Sequence, residues 1–410
     1  MNLAAISLAA LFLAVIVSCV SKLNVGVLAI VMAWIVGVYL GGMKLDAVLS
    51  GFPTTLFLTL AGMTLLFTQA QQNQTLDKLA HHAVRICQGN TGLIPILFFL
   101  VAAALASIGP GNIATSALLA PIAMSVAGRA KIPAFLMAIM VGNGANAGSL
   151  SPFAPTGLIV SGLMAKNGLP GREWETYLYN LAAHAMVAFG GYFLFGGLKL
   201  FGRVYEQAAD DQEPFHWKNV LTAAVIAALV VSVIFFKVNV GMGAFAGAVV
   251  LALAKAGDTS EAIKKMPWSV IVMVCGVSIL TGLLEKTQGM ELFTDLLARF
   301  STKSTITGFI AFLTGAISVY SSTSGVVLPA FLPTVPGLAA RLGADPMAIA
   351  TSMNIGGHLV DVSPLSTIGA LCIAAIPASE DPRALFNKMM AWGFSMAVVG
   401  ALGCWIAFGH

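Results

Sequence analysis

The sequence predicts an all-α polytopic membrane protein made of two inverted-topology repeats. It would carry about ten transmembrane helices, two re-entrant hairpins and two broken helices. Three observations predict this. The chain of 410 residues is 58% hydrophobic and only 9% charged, against roughly 25% charge in a soluble domain. Long windows carry no charge at all, from Leu93 to Ala127 and from Ile306 to Ala339. The third is a repeated polar tract inside apolar surroundings. Residues 109–122 read GPGNIATSALLAPI and 142–157 read GNGANAGSLSPFAPTG, while 321–333 read SSTSGVVLPAFLP and 354–369 read NIGGHLVDVSPLSTIG.

Each element follows in order. In the first repeat, 1–201, apolar runs predict spans at 3–21, 24–42 and 52–71, then an amphipathic stretch at 73–90. A hairpin at 92–128 turns near Gly109–Asn112, and a broken span at 133–165 is interrupted near Asn143–Ser151. The last span is 177–201, and the polar segment 202–217 is a cytoplasmic linker. The second repeat, 218–410, gives spans at 218–236, 239–255 and 267–285 and an amphipathic stretch at 287–303. Its hairpin is 305–341, its broken span 345–377, interrupted near Asn354–Asp361, and its last span 384–408. A hairpin returns to the side it entered, so each half crosses the bilayer five times. An odd number inverts the second half relative to the first.

Residues 3–20 are read as a retained first span, although Ile16-Val17-Ser18-Cys19 resembles a cleavage box. No Lys or Arg precedes the run. The motif after it, Lys22-Leu23-Asn24-Val25-Gly26, recurs after the corresponding span as Lys237-Val238-Asn239-Val240-Gly241. Of the 21 Lys and Arg, 13 fall on the side holding the base of the first hairpin. The positive-inside rule then puts that hairpin on the cytoplasmic side of the inner (plasma) membrane, the second outside, and both termini outside. The five cysteines show no metal-ligand spacing and read as small apolar residues. The net charge of +4 comes from loop Lys and Arg and gives no nucleic-acid motif. The chain has no HExxH or GxSxG, so the reading is not an enzyme.

Broken membrane helices point to a transporter's binding site. Free carbonyls and hydroxyls replace a cation's hydration shell, and free N–H groups at a half-helix start favour an anion. The substrate candidates are Asn112, Thr115, Asn146, Ser149, Ser324, His358, Ser363 and Thr367. The cation candidates are Ser107, Asn112, Asn143, Gly148, Ser321, Thr323, Asn354 and Asp361. Asp361 is the one carboxylate inside the second broken span, opposite Ser149 in the repeat. An intramembrane acid is functional by default, with a structural pairing to His358 as the alternative. His184, alone in an apolar span, reads as a packed histidine. No Lys or Arg falls in the site, so an anion there would rely on helix ends, amides, hydroxyls and a bound cation.

The tract Gly111-Asn112-Ile113-Ala114-Thr115, six residues before Pro121, resembles the Ser-Asn-Thr hairpin signature of the divalent anion–sodium symporters. The order of hairpins, broken helices and interface helices resembles that ion-transporter superfamily along nearly the whole chain, and MatC-like dicarboxylate carriers most. The first tip departs from the signature with Gly and Ile in place of Ser and Thr. The second, Thr323-Ser324-Gly325, lacks the asparagine. The resemblance implies a secondary transporter of malonate or a C4-dicarboxylate. Sodium would be the coupling ion, with a proton as the alternative, and there would be no other cofactor. Spans 1–3 of each half would form the scaffold of a homodimer. The remaining elements would move as an elevator, with one sodium ion at each tip. Alternatives are a sodium/proton antiporter or oxyanion exporter of the same superfamily, and the membrane subunit of a binding-protein-dependent carboxylate transporter.

Overall fold

The structure, a computed structural model, describes residues 2–21, 23–76, 78, 89–205, 216–377 and 380–409. Most of the amphipathic stretch 73–90, with the pair His81-His82, and most of the linker 202–217 lie outside the described residues.

The described chain is α-helical apart from a two-residue antiparallel pairing of β1 (Gly89–Asn90) with β2 (Val204–Tyr205). The first half begins with α1 (Leu3–Val20) and α2 (Val25–Trp34), which a π-helical turn extends to Leu40. It continues through α3 (Leu45–Leu49) and α4 (Thr54–Gln72). The hairpin arms are α5 (Leu93–Ile108) and α6 (Gly111–Ala130). The broken span consists of α7 (Ala134–Ser149) and α8 (Pro155–Lys166), and α9 (Glu173–Leu194) ends the half. The second half repeats the order with α10 (Trp217–Phe236), α11 (Val240–Leu253), α12 (Thr259–Lys265), α13 (Trp268–Lys286) and α14 (Gly289–Arg299). Its hairpin comprises α15 (Ile306–Ser318), a π turn (Thr323–Val327), α16 (Leu328–Phe331) and α17 (Val335–Leu342). The broken span is α18 (Pro346–Leu359) and α19 (Thr367–Ala374), followed by α20 (Pro382–Phe408).

Among the described residues, five segments are long and apolar enough to cross a membrane by length and composition: 111–130, 268–286, 323–342, 346–374 and 382–408. Six shorter apolar helices accompany them. Length does not distinguish a crossing from a re-entrant arm, since α6 and 323–342 are arms in the hairpin reading. Large apolar side chains such as Leu194, Phe235, Phe236 and Leu253 are more than 70% exposed. On a soluble surface such a density would be an association site; around membrane spans it is the kind of surface that suits lipid. The interface helix α14 buries Met290, Phe293 and Leu297 and turns Glu291 and Asp295 outward.

Two glycine crossings hold α2, α4, α11 and α13 together. A Cβ on Gly26 would lie 2.2 Å from the Val272 carbonyl, and one on Gly276 would lie 2.1 Å from the Gly26 carbonyl. The same contact recurs with the halves exchanged. A Cβ on Gly62 would lie 2.4 Å from the Gly241 carbonyl, and one on Gly241 would lie 2.6 Å from the Thr59 Cα. Helix 2 of one half thus crosses helix 3 of the other, both ways round. Such reciprocity is the mark of an isologous, two-fold-related contact.

The breaks fall later than the sequence suggested. Asn143–Ser149 are helical, and the first interruption spans 150–154. Residues 354–359 are likewise helical, with a 3₁₀ turn at 360–362 and the interruption at 363–366. The glycines in these tracts serve close packing. A Cβ on Gly144 would lie 2.5 Å from the Phe99 carbonyl, and one on Gly356 would lie 2.2 Å from the Ala311 carbonyl. The interruptions sit at Ser151-Pro152 and Ser363-Pro364, where proline removes a donor and biases the preceding residue toward extended backbone. Both serines have their carbonyls under a glycine of the following half-helix, Gly157 and Gly369, at 2.0 and 1.9 Å from a would-be Cβ.

The two half-helices start differently. Asp345 caps α18 by accepting from the Met347 and Ala348 amides at 3.1 and 3.3 Å. In the first half Pro133 stands at that position and cannot cap. Glu380, from the loop before α20, accepts from the Ala134 amide instead, at 2.7 Å.

Candidate substrate and cation site

The first tip is a glycine turn. Gly109 (φ 145°) and Gly111 (φ 76°) take backbone conformations that L side chains rarely adopt. A Cβ on Gly109 would also lie 1.9 Å from the Phe67 ring of α4. The turn delivers Asn112 to the broken span, where its Nδ2 donates to Asn146 Oδ1 at 2.8 Å. Thr115, one turn further along α6, is buried and its hydroxyl meets no protein partner.

On α7, Asn143 is held on both sides. Its Nδ2 donates to the Ile139 carbonyl at 2.8 Å, so its Oδ1 accepts from His184 Nδ1 at 2.9 Å. His184 is therefore packed at Nδ1, while its Nε2 has no protein partner. Ser149 donates back to the Asn146 carbonyl at 2.7 Å. Ser107, near the end of α5, donates to the Ala103 carbonyl at 2.6 Å and lies 3.0 Å from the Tyr177 hydroxyl. Its own carbonyl accepts from Ser151 at 2.7 Å, which ties the tip to the break. Gly148 gives α7 room against α5, its would-be Cβ lying 2.5 Å from the Ala103 carbonyl.

The second tip uses hydroxyls. Ser321 lies in the turn, and Ser322 Oγ accepts from the Gly325 amide at 3.1 Å to start the return arm. Thr323 Oγ1 donates to Asp361 Oδ1 at 2.8 Å. This is the second copy of a tip-to-break contact, made one residue earlier at the tip and three residues later on the broken span. Ser324 is half-buried beside it. Asn354 faces Met164 of α8 with its Nδ2 and leaves its Oδ1 without a partner. His358 Nδ1 donates to the Asn354 carbonyl at 2.8 Å, not to Asp361, and its Nε2 is free of protein partners. Ser363 is buried with an unpartnered hydroxyl, whereas Thr367 opens α19 with an exposed side chain.

The structure thus brings together Asn112 with Asn146, and Thr323 with Asp361. Asn143 is committed to His184, Ser149 to its own helix, and Thr367 stands apart. Asn180 of α9 joins the first group unforeseen, donating through Nδ2 to the Asn146 carbonyl at 2.8 Å. Alone in an apolar span it carries no motif. The available signal was its repeat counterpart, Trp392, since a buried amide in one copy only is anomalous.

A cavity of about 1160 Å³ lies between α4, α8 and α13, and none of the candidate substrate or cation residues lines it. Pro152 and Phe153 of the first break, Pro329 of the second hairpin and the hydroxyl-bearing Thr59, Ser278 and Thr281 line it. Lys166 at its rim is paired with Glu285 at 3.0 Å. Asp361 is the one carboxylic acid among the site residues described. The tips and breaks offer amides, hydroxyls and backbone ends, which suit a cation on the acceptor side and an anion on the donor side.

Comparison with known proteins bears on the fold and the class of protein. Residues 1–149 match the family model described as the N-terminus of dicarboxylate carrier protein MatC. Two curated relatives, the Uncharacterized transporter Rv2684 of Mycobacterium tuberculosis and Mb2703 of Mycobacterium bovis, are each 24% identical over 347 residues, 79% of both chains. Among solved structures, the YdaH transporter of Alcanivorax borkumensis aligns with a TM-score of 0.62 at 14% identity, covering 90% of this chain and 88% of that one. MtrF of Neisseria gonorrhoeae, described with a class of antimetabolite efflux pumps, aligns with a TM-score of 0.59 at 13% identity, covering 91% and 83%. Residues 1–149 therefore match the N-terminal segment of the MatC dicarboxylate carriers, and the chain as a whole is a multi-pass all-α membrane protein with a transporter fold.

Proposed function

We propose that this chain is a secondary active transporter that moves a small dicarboxylate, malonate or a C4 acid, together with sodium. The carrying observation is the doubled contact of hairpin tip with broken span, Asn112 on Asn146 and Thr323 on Asp361, each at 2.8 Å. Each contact ties a hairpin turn to a broken span, and irregular backbone within a membrane is tolerated only where protein buries it or it lines a water-filled cavity. The match of residues 1–149 to the MatC carriers supports the dicarboxylate. With no Lys or Arg in the site, a dianion needs a companion cation, and that supports symport. The glycine-crossed helices α2, α4, α11 and α13 form the fixed scaffold of a homodimer. The hairpins and broken spans move against it as an elevator.

Purified protein in proteoliposomes should accumulate labelled succinate or malonate when a sodium gradient is imposed inward. Replacing sodium by choline should reduce initial uptake at least tenfold. Equal uptake in choline and sodium, from folded protein, would remove sodium coupling.

A second reading has its own observation. Asp361 is an intramembrane acid, and the fold is shared with an efflux pump. Export by ion exchange would show as sodium/proton exchange without dicarboxylate, lost in Asp361→Asn.

A further inference from the structure

Asn180 is fully buried on α9, the last span of the first half. Its Nδ2 lies 2.8 Å from the Asn146 carbonyl and 3.4 Å from the Ala147 carbonyl. Both are acceptors, so the amide can face only this way, with its NH₂ on the carbonyls. Its Oδ1 then points elsewhere and meets no protein donor. The residue that Asn180 grips is the one that receives the first tip through Asn112. Tip, half-helix and last span converge on Asn146.

A buried oxygen with no protein donor is open to a bound water or a cation. A carboxylate substrate offers only acceptors and cannot bond it. A hard cation takes oxygens of exactly this kind, amide carbonyls and hydroxyls. The unpartnered hydroxyl of Thr115 is on the hairpin arm α6, which packs on α7. The register that aligns Ser151-Pro152 with Ser363-Pro364 places Trp392 opposite Asn180. An indole has no oxygen to give, and the second copy offers the carboxylate of Asp361 instead.

We propose that Asn180 Oδ1 is a ligand of the coupling cation in the first copy, so that the two copies hold cations by different chemistry: a neutral amide oxygen in one, a carboxylate in the other. This rests on the cation-coupled reading above.

The test uses the full chain in detergent, with sodium chloride titrated against choline chloride at constant ionic strength and thermal melting as the readout. Asn180→Ala should weaken apparent sodium affinity at least tenfold. Asn180→Asp keeps an oxygen at that place but loses the NH₂ grip on Asn146, and should stay within threefold of wild type or bind sodium more tightly. A merely structural role gives the other pattern, with Asp as weak as Ala. That pattern, an Asn180→Ala protein with wild-type sodium affinity, or a wild type that does not respond to sodium would each overturn the proposal. If Asn180→Ala does not fold, Asn180→Asp decides alone: wild-type or tighter affinity supports the assignment and a tenfold loss overturns it. A parallel titration with succinate and malonate separates the two levels. Sodium response without any response to either acid would overturn the dicarboxylate reading and leave the cation site standing.

Discussion

Asp361→Asn is expected to abolish sodium-coupled uptake while the protein still folds. Asp361 accepts from Thr323 at 2.8 Å and is the charged member of the two tip-to-break contacts. Asparagine has nearly the same shape and keeps an acceptor for Thr323, so the contact can persist. What disappears is the charge that faces a cation in a region of low dielectric. Removing one partner of a buried charge pair costs about 3–5 kcal/mol, which is roughly two to three and a half powers of ten in cation affinity. Initial uptake in proteoliposomes at sub-saturating sodium should fall by about that range. Asp361→Glu should recover part of it, because it restores charge with altered reach. Wild-type uptake by Asp361→Asn would show that this acid carries no cation.

Gly276→Ala is expected to be among the most damaging single-methyl changes, and to act on the crossing of α2 with α13. The added Cβ would lie 2.1 Å from the Gly26 carbonyl oxygen and 2.6 Å from its Cα. Every atom it meets is backbone, so no side chain can rotate away and the helices α2 and α13 must separate. Overpacking typically costs about 1–3 kcal/mol, occasionally more, and a backbone-on-backbone clash belongs at or beyond the upper end. The two-fold-related Gly62→Ala should behave alike, with its Cβ 2.4 Å from the Gly241 carbonyl. Gly190→Ala and Gly403→Ala are the controls, since a Cβ at either meets nothing within 4 Å. Helix propensity makes those two neutral or stabilising by about 0.5–1 kcal/mol. Melting of the four variants in detergent should divide them into two pairs. A Gly276→Ala protein that melts with the controls would refute the described crossing.

The architecture was legible because its signals are collective. A run of twenty apolar residues, or a tract repeated in both halves, cannot be imitated by one accidental residue. The repeat even carried the scaffold: Gly26 and Gly241, matched through their shared motif, turn out to be the two equivalent crossing points. The position of each break was less legible. Asn143, Gly144, Asn146 and Gly148 look like helix breakers by type, yet α7 runs through them. Tertiary packing overrode local preference there, because the glycines let α5 approach to backbone contact and the asparagines bond to neighbouring elements. The prolines at 152 and 364 fall inside the interruptions, where a missing donor and a restricted preceding residue add to the loss of helix, whereas Pro121 is accommodated inside α6. Single polar residues in otherwise apolar spans were the least legible. Asn180 and His184 join the site only because α9 packs against α7, a fact of tertiary structure that no local pattern carries.

If dicarboxylate and sodium share one site, as proposed, each should stabilise the other there. The most direct measurement is calorimetric titration of the purified chain with succinate and malonate over a series of sodium chloride concentrations balanced by choline chloride. Dicarboxylate affinity should rise with sodium. Saturating dicarboxylate should raise sodium affinity by the same factor, as linkage requires. Dicarboxylate binding that is indifferent to sodium, in folded protein, would contradict the shared site.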